Sequence, residues 1–430
     1  MMKGSYRGIL LLILFLALAA AACSLGDNDG IPNNAQVVEV TANTSLEPWL
    51  DAVIQQYNAA EYEVGEGNPI FVQAAYADSG EAIDMLSGGG DYPSIWIPDS
   101  EVWTDVMADQ VSSSYQDDCQ SLVTSPLVIA MWRPVAESLG WPGLPLGWLD
   151  IGSLAADPSA WSYYSGGEYG DSLRLGHTHP GLSGSGSGTL LAIVQAAQSK
   201  TEAVTDDDIQ QPIVQASVSA FESAVSTFST STGDLARTMS ERGVGYLGAG
   251  VMYESDVLVH GGGELVPIYP LEGTFVADHP ACISSELSAD DRAAAAHFRD
   301  YMLGEEAQKL AVSFGLRPVN RSVEVGPPLD AAYGVDLTQP ENTFATPTVE
   351  SIYAVQELWQ SARKNVNLVM LLDVSGSMEG SKIDSMKEAA VQFVEQMGDD
   401  DLITILAFSH IQDPLALQDQ VGTSRSRVIT

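Results

Sequence analysis

Positive charge is scarce in this chain. Its 430 residues include 18 Lys and Arg against 57 Asp and Glu, a formal net charge of −39. Such a surface repels phosphate backbones, which excludes nucleic-acid binding. It equally disfavours docking on anionic lipid through a basic patch. Cysteine is scarce too. Cys23, Cys119 and Cys282 are too few for a disulfide scaffold and lack zinc-site spacing. The constellations of catalysis are missing: no G-x-S-x-G elbow occurs, and the glycine-rich run 181–188 has no P-loop lysine. His177 and His179 alternate beside Pro180, with His260 and His279 elsewhere, and the pair reads as part of a solvated loop. The acidic runs 206–208 and 399–401 lack EF-hand spacing and read as solvated loops or caps. Apolar residues are not scarce. At 45% hydrophobic and 8% aromatic, the chain can build real cores. The acid is dispersed along it, as suits an exported protein that must stay soluble.

The one long apolar run, Ile9 to Ala22, is too short for a confident membrane span. Lys3 and Arg7 precede it, and four alanines lead into Cys23. The segment resembles a bacterial lipoprotein signal, although Ala20 stands where such signals usually have Leu. The resemblance implies removal of 1–22, lipidation of Cys23, a polar tether over 23–35, export, and membrane attachment through the lipid alone. Export brings an oxidising compartment, in which Cys119 and Cys282 form an even pair; the sequence leaves open whether they meet.

From residue 36 onward strand and helix patterns alternate. Strands are expected over 36–41, 70–76, 94–97 and 127–132. Helices are expected over 45–59, capped by Thr44 or Ser45, from Glu81 onward, capped by Ser79, and near 101–107. Such alternation favours parallel sheets covered by helices. The middle, about 133–246, is more helical, with helices over 191–200, 209–230 and 235–242 and a strand near 173–175. Strands near 265–269 and 273–276 and helices over 289–302 and 305–314 follow. One unit embedded in another predicts two lobes joined by two crossing strands. Residues 326–364, with Pro327, Pro328, Pro340 and Pro347, read as a linker carrying one short helix near 352–361. The last part, 365–430, holds a buried strand over 366–372, an amphipathic helix over 383–397 stopped by Gly398, and a buried strand over 402–408 with an exposed edge.

Small residues recur at helix starts: Thr44 and Ser45, Ser79 and Gly80, Ser185 and Ser187. Helix N-termini expose unpaired N–H groups and partial positive charge, so several facing each other form a clamp for an anion or carboxylate. Any single serine is an ordinary cap. Tyr253 is a weaker candidate, better explained as a packed aromatic. The stretches VTANTS (40–45), ADSGE (77–81), SPLVIAMW (125–132), PGLSGSGSGTL (180–190), YPLEGTFVADHPACI (269–283) and EEAQKLAVSFGLRPVN (305–320) together resemble bacterial extracellular solute-binding proteins. The resemblance covers 36–325, with the second lobe about 133–246. It implies a two-lobed type II periplasmic-binding fold, non-covalent capture of a small solute by hinge closure, and no enzymatic activity.

Between the last two strands lies Asp373-Val374-Ser375-Gly376-Ser377. The loop follows the carboxyl end of a parallel strand, where open α/β sheets place ligands. Asp373 offers one hard anionic oxygen, and Ser375 and Ser377 offer two neutral ones. Mg²⁺ takes about six oxygens, so this set leaves the ion able to accept an acidic group from a partner. The stretch LVMLLDVSGSMEGSKIDSMKEAAVQFV resembles the start of a von Willebrand factor type A domain and its metal-ion-dependent adhesion site. The resemblance implies Mg²⁺, or Mn²⁺ or Ca²⁺, on Asp373, Ser375 and Ser377, and a protein partner that supplies the acidic side chain. The pattern also needs a Thr and an Asp expected beyond Thr430, so 365–430 reads as the first part of a Rossmann-like, doubly wound domain. The fold class expected is therefore α/β: a two-lobed binding-protein-like domain and a partial A domain. The function expected is a membrane-anchored, extracytoplasmic, non-enzymatic binding protein. Its alternative is the substrate-binding component of an ABC-type transporter with an accessory A domain.

Overall fold

Apolar and β-branched residues of 36–42 build strand β1 (Gln36–Ala42), which leads through a 3-10 turn into helix α1 (Glu47–Ala59). The computed structural model describes residues 31–429, apart from 33, 65, 66, 364, 366, 410 and 411. The signal segment and Cys23 lie outside the described residues. The pattern repeats as β2 (Asn68–Tyr76) into α2 (Ser79–Ser87) and β3 (Ile95–Ile97) into α3 (Val102–Gln110). β1 pairs in parallel with both β2 and β3, so three strand-to-helix turns leave the sheet at one edge. Trp49, Leu50, Val53 and Tyr57 of α1 are buried against Val38, Val40 and Val72.

The chain crosses after β4 (Cys119–Ser121). β5 (Val123–Trp132), apolar on both faces, becomes the spine of a second sheet. That lobe is completed by β6 (Leu175–Thr178), α4 (Gly184–Gln198), α5 (Pro212–Ala224), β7 (Val225–Ser229), α6 (Thr232–Arg242), β8 (Ala249–Tyr253), α7 (Glu254–Gly261) and β9 (Leu265–Ile268). Its sheet order is β9-β5-β8-β6-β7. β10 (Pro280–Ile283) returns to the first sheet between β3 and β4, and Cys282 is disulfide-bonded to Cys119 there. Helices α8 (Ala289–Leu303) and α9 (Glu305–Ser313) close the first lobe.

Several expectations need correction. The second lobe is larger than 133–246, because β5, β8 and β9 belong to its sheet. The helix expected over 209–230 is broken: Pro212 opens a fresh helix and the segment from Val225 joins the sheet as β7. Residues 326–364 are not a free linker. Leu329, Val335 and Phe344 are buried, and α10 (Val349–Ala362), capped by Thr348, packs on both lobes. Such singly buried residues fill grooves made by distant elements, so they leave no period in the sequence.

The C-terminal part contains β11 (Asn367–Asp373), α11 (Ser381–Gln396), β12 (Leu402–Phe408), β13 (Gln412–Gln420) and α12 (Val421–Ile429). β11 and β12 are parallel, as the strand–helix–strand pattern predicts. The edge of β12 expected to be open is paired antiparallel with β13. Val394, Met397, Ile403, Ile405, Ala416 and Val421 form its core. The opposite sheet face is bare: Val369 and Leu371 are 57% and 63% exposed, so β11 is not the doubly buried strand expected, and Phe393 of α11 also faces out.

Candidate ligand site between the lobes

The three strand-to-helix turns of the first lobe meet the N-termini of α4 and α6 from the second. Asn43 caps the turn after β1: its Oδ1 accepts from the Ser45 N–H at 2.9 Å, a role expected of Thr44 or Ser45. Asn43 Nδ2 donates to Asp99 at 2.7 Å and to Asp78 at 3.4 Å. The Thr44 hydroxyl donates to Asp78 at 2.5 Å, and the Ser45 hydroxyl crosses to Asp256 at 2.8 Å. Ser79 sits inside the first turn of α2 rather than capping it. Its hydroxyl donates to Asp99 Oδ2 at 2.5 Å and accepts from the Asp99 N–H at 3.0 Å. Gly80 is where the two backbones touch: a methyl there would lie 2.1 Å from the Gly181 carbonyl oxygen. The Glu81 N–H donates across the seam to the Leu182 carbonyl at 2.9 Å.

From the second lobe, Ser185 shares a hydroxyl network with Thr178 (2.7 Å), Thr232 (2.8 Å) and Ser183 (3.0 Å). Tyr253 is buried, and its hydroxyl donates to Asp99 at 2.8 Å, so it serves as both packing and seam. Ser187 turns back onto the Pro180 carbonyl at 2.5 Å. The fold thus brings Thr44, Ser45, Ser79, Gly80, Ser185 and Tyr253 to one seam. It adds Asn43, Asp78, Asp99, Thr232 and Asp256, which sequence reasoning missed. A usable signal existed: Asp78-Ser79 and Asp99-Ser100 both follow strands, which sets a carboxylate beside each helix start.

Asp78, Asp99 and Asp256 are all buried, and every side-chain donor named to them is neutral. Burial raises all three carboxyl pKa values. It carries Asp99 and Asp256 up to about 7, with the neighbouring Asp78 charge adding to the shift and the donated hydrogen bonds opposing it. Beside Asp99 lies a cavity of about 150 Å³, walled by Trp103, Tyr253 and Phe275 and roofed by Phe344 and Ile352.

The roof belongs to the segment expected to be a linker. From α10, Tyr353 donates to Asp109 (2.9 Å) and accepts from Gln110 (3.0 Å), both on the first lobe. Gln356 donates to the Pro180 carbonyl (3.1 Å) and the Trp359 indole to Glu222 (3.2 Å), both on the second. Trp359 also packs edge-on against His179 and Phe228, with ring centroids 4.7 and 5.5 Å apart. The histidines are therefore not in a solvated loop. His177 lies on β6, fully buried, 2.8 Å from Glu222, and burial pushes His179 down to about 4. His260 is half-buried, and His279 is buried at the seam, edge-on to Tyr253 with ring centroids 5.7 Å apart. Among the described residues no three His, Cys, Asp or Glu side chains are grouped to hold a metal ion. Asp206–Asp208 open a short helix capped by Thr205, as expected of a cap. Asp401 departs from the solvated reading of 399–401: it is buried and paired with Arg363.

At the far end of the chain, Asp373, Ser375 and Ser377 gather at the carboxyl end of β11. The Ser375 N–H donates to Asp373 Oδ1 at 2.8 Å, and the two serine hydroxyls lie 2.9 Å apart. That N–H holds the Asp373 carboxyl below its ordinary range. One carboxylate and two hydroxyls suit a hard divalent ion and supply about half its coordination sphere.

A family-wide comparison matches residues 38–317 to the bacterial extracellular solute-binding proteins, and the chain belongs to that family. Family and fold are those of exported binding proteins rather than enzymes. Among solved structures it is similar to the sulfate-binding protein SubI of Mycobacterium tuberculosis: TM-score 0.50, 17% identity, 74% of this chain and 96% of that one covered. It is also similar to a periplasmic thiamin-binding protein, with TM-score 0.52, 12% identity and coverage of 76% and 96%. The apo ferric ion-binding protein A of Pasteurella haemolytica matches with TM-score 0.50, 14% identity and coverage of 76% and 98%. At these identities the likeness is one of fold. An uncharacterized protein of Synechocystis is 38% identical over 48 residues, which span 11% of this chain and 11% of that relative's length.

Proposed function

We propose that this chain is the solute receptor of an ABC-type transporter, tethered outside the membrane through a lipid on Cys23. The observation that supports this most is the convergence of polar side chains from two lobes on one buried seam: Asn43, Ser79 and Asp99 from one side, Thr232, Tyr253 and Asp256 from the other. Two-lobed receptors enclose a solute at such a seam by hinge closure. The fold relatives carry sulfate, thiamin and ferric ion, so the cargo here has to be argued from this cleft. Three buried carboxylates with neutral donors disfavour an oxyanion. A cavity with aromatic walls beside Asp99 suits a small neutral or cationic solute.

The C-terminal unit is an accessory module in this reading. Asp373, Ser375 and Ser377 would hold Mg²⁺, Mn²⁺ or Ca²⁺, and an acidic side chain of a partner protein would complete the ion's shell. A second reading is favoured by α10: a cleft roofed by its own chain can serve as a fixed recognition platform.

One set of titrations tests both modules. Thermal-shift screening of the full chain against sugars, amino acids, amines and oxyanions is expected to raise the melting temperature with a neutral or cationic compound, an effect lost in Asp99→Asn. If no compound raises it, solute capture fails and the platform reading is left. Calorimetric titration with magnesium or manganese should show uptake that disappears in Asp373→Ala; no uptake would remove the metal assignment.

A further inference from the structure

We propose that Asp78 is the cleft's resident ligand: its carboxylate fills an oxyanion seat formed between the lobes, so the native protein closes on itself and refuses small oxyanions. This rests on reading the seam as the solute site. Asp78 occupies the N-cap position of α2 with extended backbone, where an aspartate ordinarily accepts from its own helix, yet its side chain makes no such bond. It reaches instead to the second lobe. Oδ2 accepts from the N–H of Thr232 at 3.0 Å and from its hydroxyl at 2.9 Å, 154 residues away. Oδ1 accepts from Thr44 at 2.5 Å and Asn43 at 3.4 Å.

Four neutral donors from two lobes thus converge on one buried carboxylate, with the first N–H of the eleven-residue helix α6 among them. That is the arrangement in which a helix start and hydroxyls hold a free anion. The seat has no spare room. The Thr44 hydroxyl also accepts from the Gly233 N–H at 3.2 Å, and the backbones meet alongside at Gly80 and Gly181. A second anion would displace Asp78 or sit against three carboxylates.

Asp78→Ser is the informative variant. Serine caps α2 locally and is too short to take over both carboxylate positions, so the Thr232 N–H and the Thr44 hydroxyl lose their acceptor, while the Thr232 hydroxyl keeps Ser185. The full chain and the variants Asp78→Ser and Asp78→Ala are titrated with formate, acetate and sulfate. With ionic strength held constant by sodium chloride, the native chain is expected to show no thermal shift beyond that salt's own effect. At least one variant is expected to gain about 2 °C or more with formate or acetate. If a variant folds only when the anion is present during refolding, that rescue counts as the same gain. A native chain stabilised by these anions, or variants that neither respond nor are rescued, would overturn the inference. Binding of a neutral or cationic solute by the native chain without any gain in the variants would sink this inference alone. Anion gain without any native solute would sink the capture reading alone.

Discussion

At the scale of single residues, the seam is a set of carboxylates kept from water. Asp256 is the simplest of them, with Ser45 and the Tyr253 N–H as donors. Burial lifts its pKa from about 3.9 in an unfolded chain to about 7 in the fold. Between these values the folded state holds a proton that the unfolded state has released. The contribution of this group to stability is therefore greatest below about pH 4, falls as pH rises through the window, and levels off above about 7. One such proton gives a slope of about 1.4 kcal/mol per pH unit. Melting curves from pH 5 to 8 should show this decline. Asp256→Asn, which keeps an acceptor for Ser45, should flatten it in part, with Asp99 titrating in the same window. An unchanged slope would assign the proton to other groups.

At the scale of elements, α10 behaves as a strap. One end of it touches the first lobe through Tyr353, and Trp359 is sunk in the second against Glu222, His179 and Phe228. Emptying the Trp359 pocket removes the largest apolar contact of the strap. Trp359→Ala is expected to destabilise the chain by about 3–5 kcal/mol, and Tyr353→Phe, which removes a half-exposed hydroxyl, by about 1 kcal/mol or less. Hydrogen exchange should speed up across 343–362 in the tryptophan variant alone. Native-like protection there would show that the strap holds without its anchor. Arg363 extends the connection, since it stacks on Trp359 and pairs with buried Asp401 of the C-terminal unit.

At the scale of the whole molecule, the chain carries a net charge of −39, and the side-chain donors to Asp78, Asp99 and Asp256 in the seam are all neutral. Self-repulsion of that size destabilises a compact state, and salt screens it over roughly 10 Å at 0.1 M. The melting temperature should therefore climb steadily from about 0.05 to about 0.5 M sodium chloride. The climb should match that in potassium chloride, because screening is indifferent to the cation. A flat response would mean that the acidic residues are already paired or too far apart to interact.

Much of this architecture could be read from the chain alone. Short apolar runs announced β1, β2, β5, β11 and β12, because a strand set against a core needs apolar side chains over its length. The small residues after those strands marked the seam, and the D-x-S-x-S turn marked the C-terminal loop. Asp78 was not legible: the sequence suggested Ser79 as the cap of α2, and Asp78 holds that position without a cap bond. A local cap is worth about 1 kcal/mol, and four donors, two of them delivered by a remote lobe, outweigh it. Phe344 carries no period, so its burial follows from a groove that other segments shape; Trp359 shares the helical spacing of Ile352 and Val355, but the surface it meets lies in a distant lobe. His177 looked solvated beside Pro180 until Glu222, 45 residues away, was folded against it. Local pattern establishes which segments become strands and helices, since that depends on near neighbours. What each buried polar group bonds to depends on which distant surface the fold presses against it, and no stretch of chain contains that information.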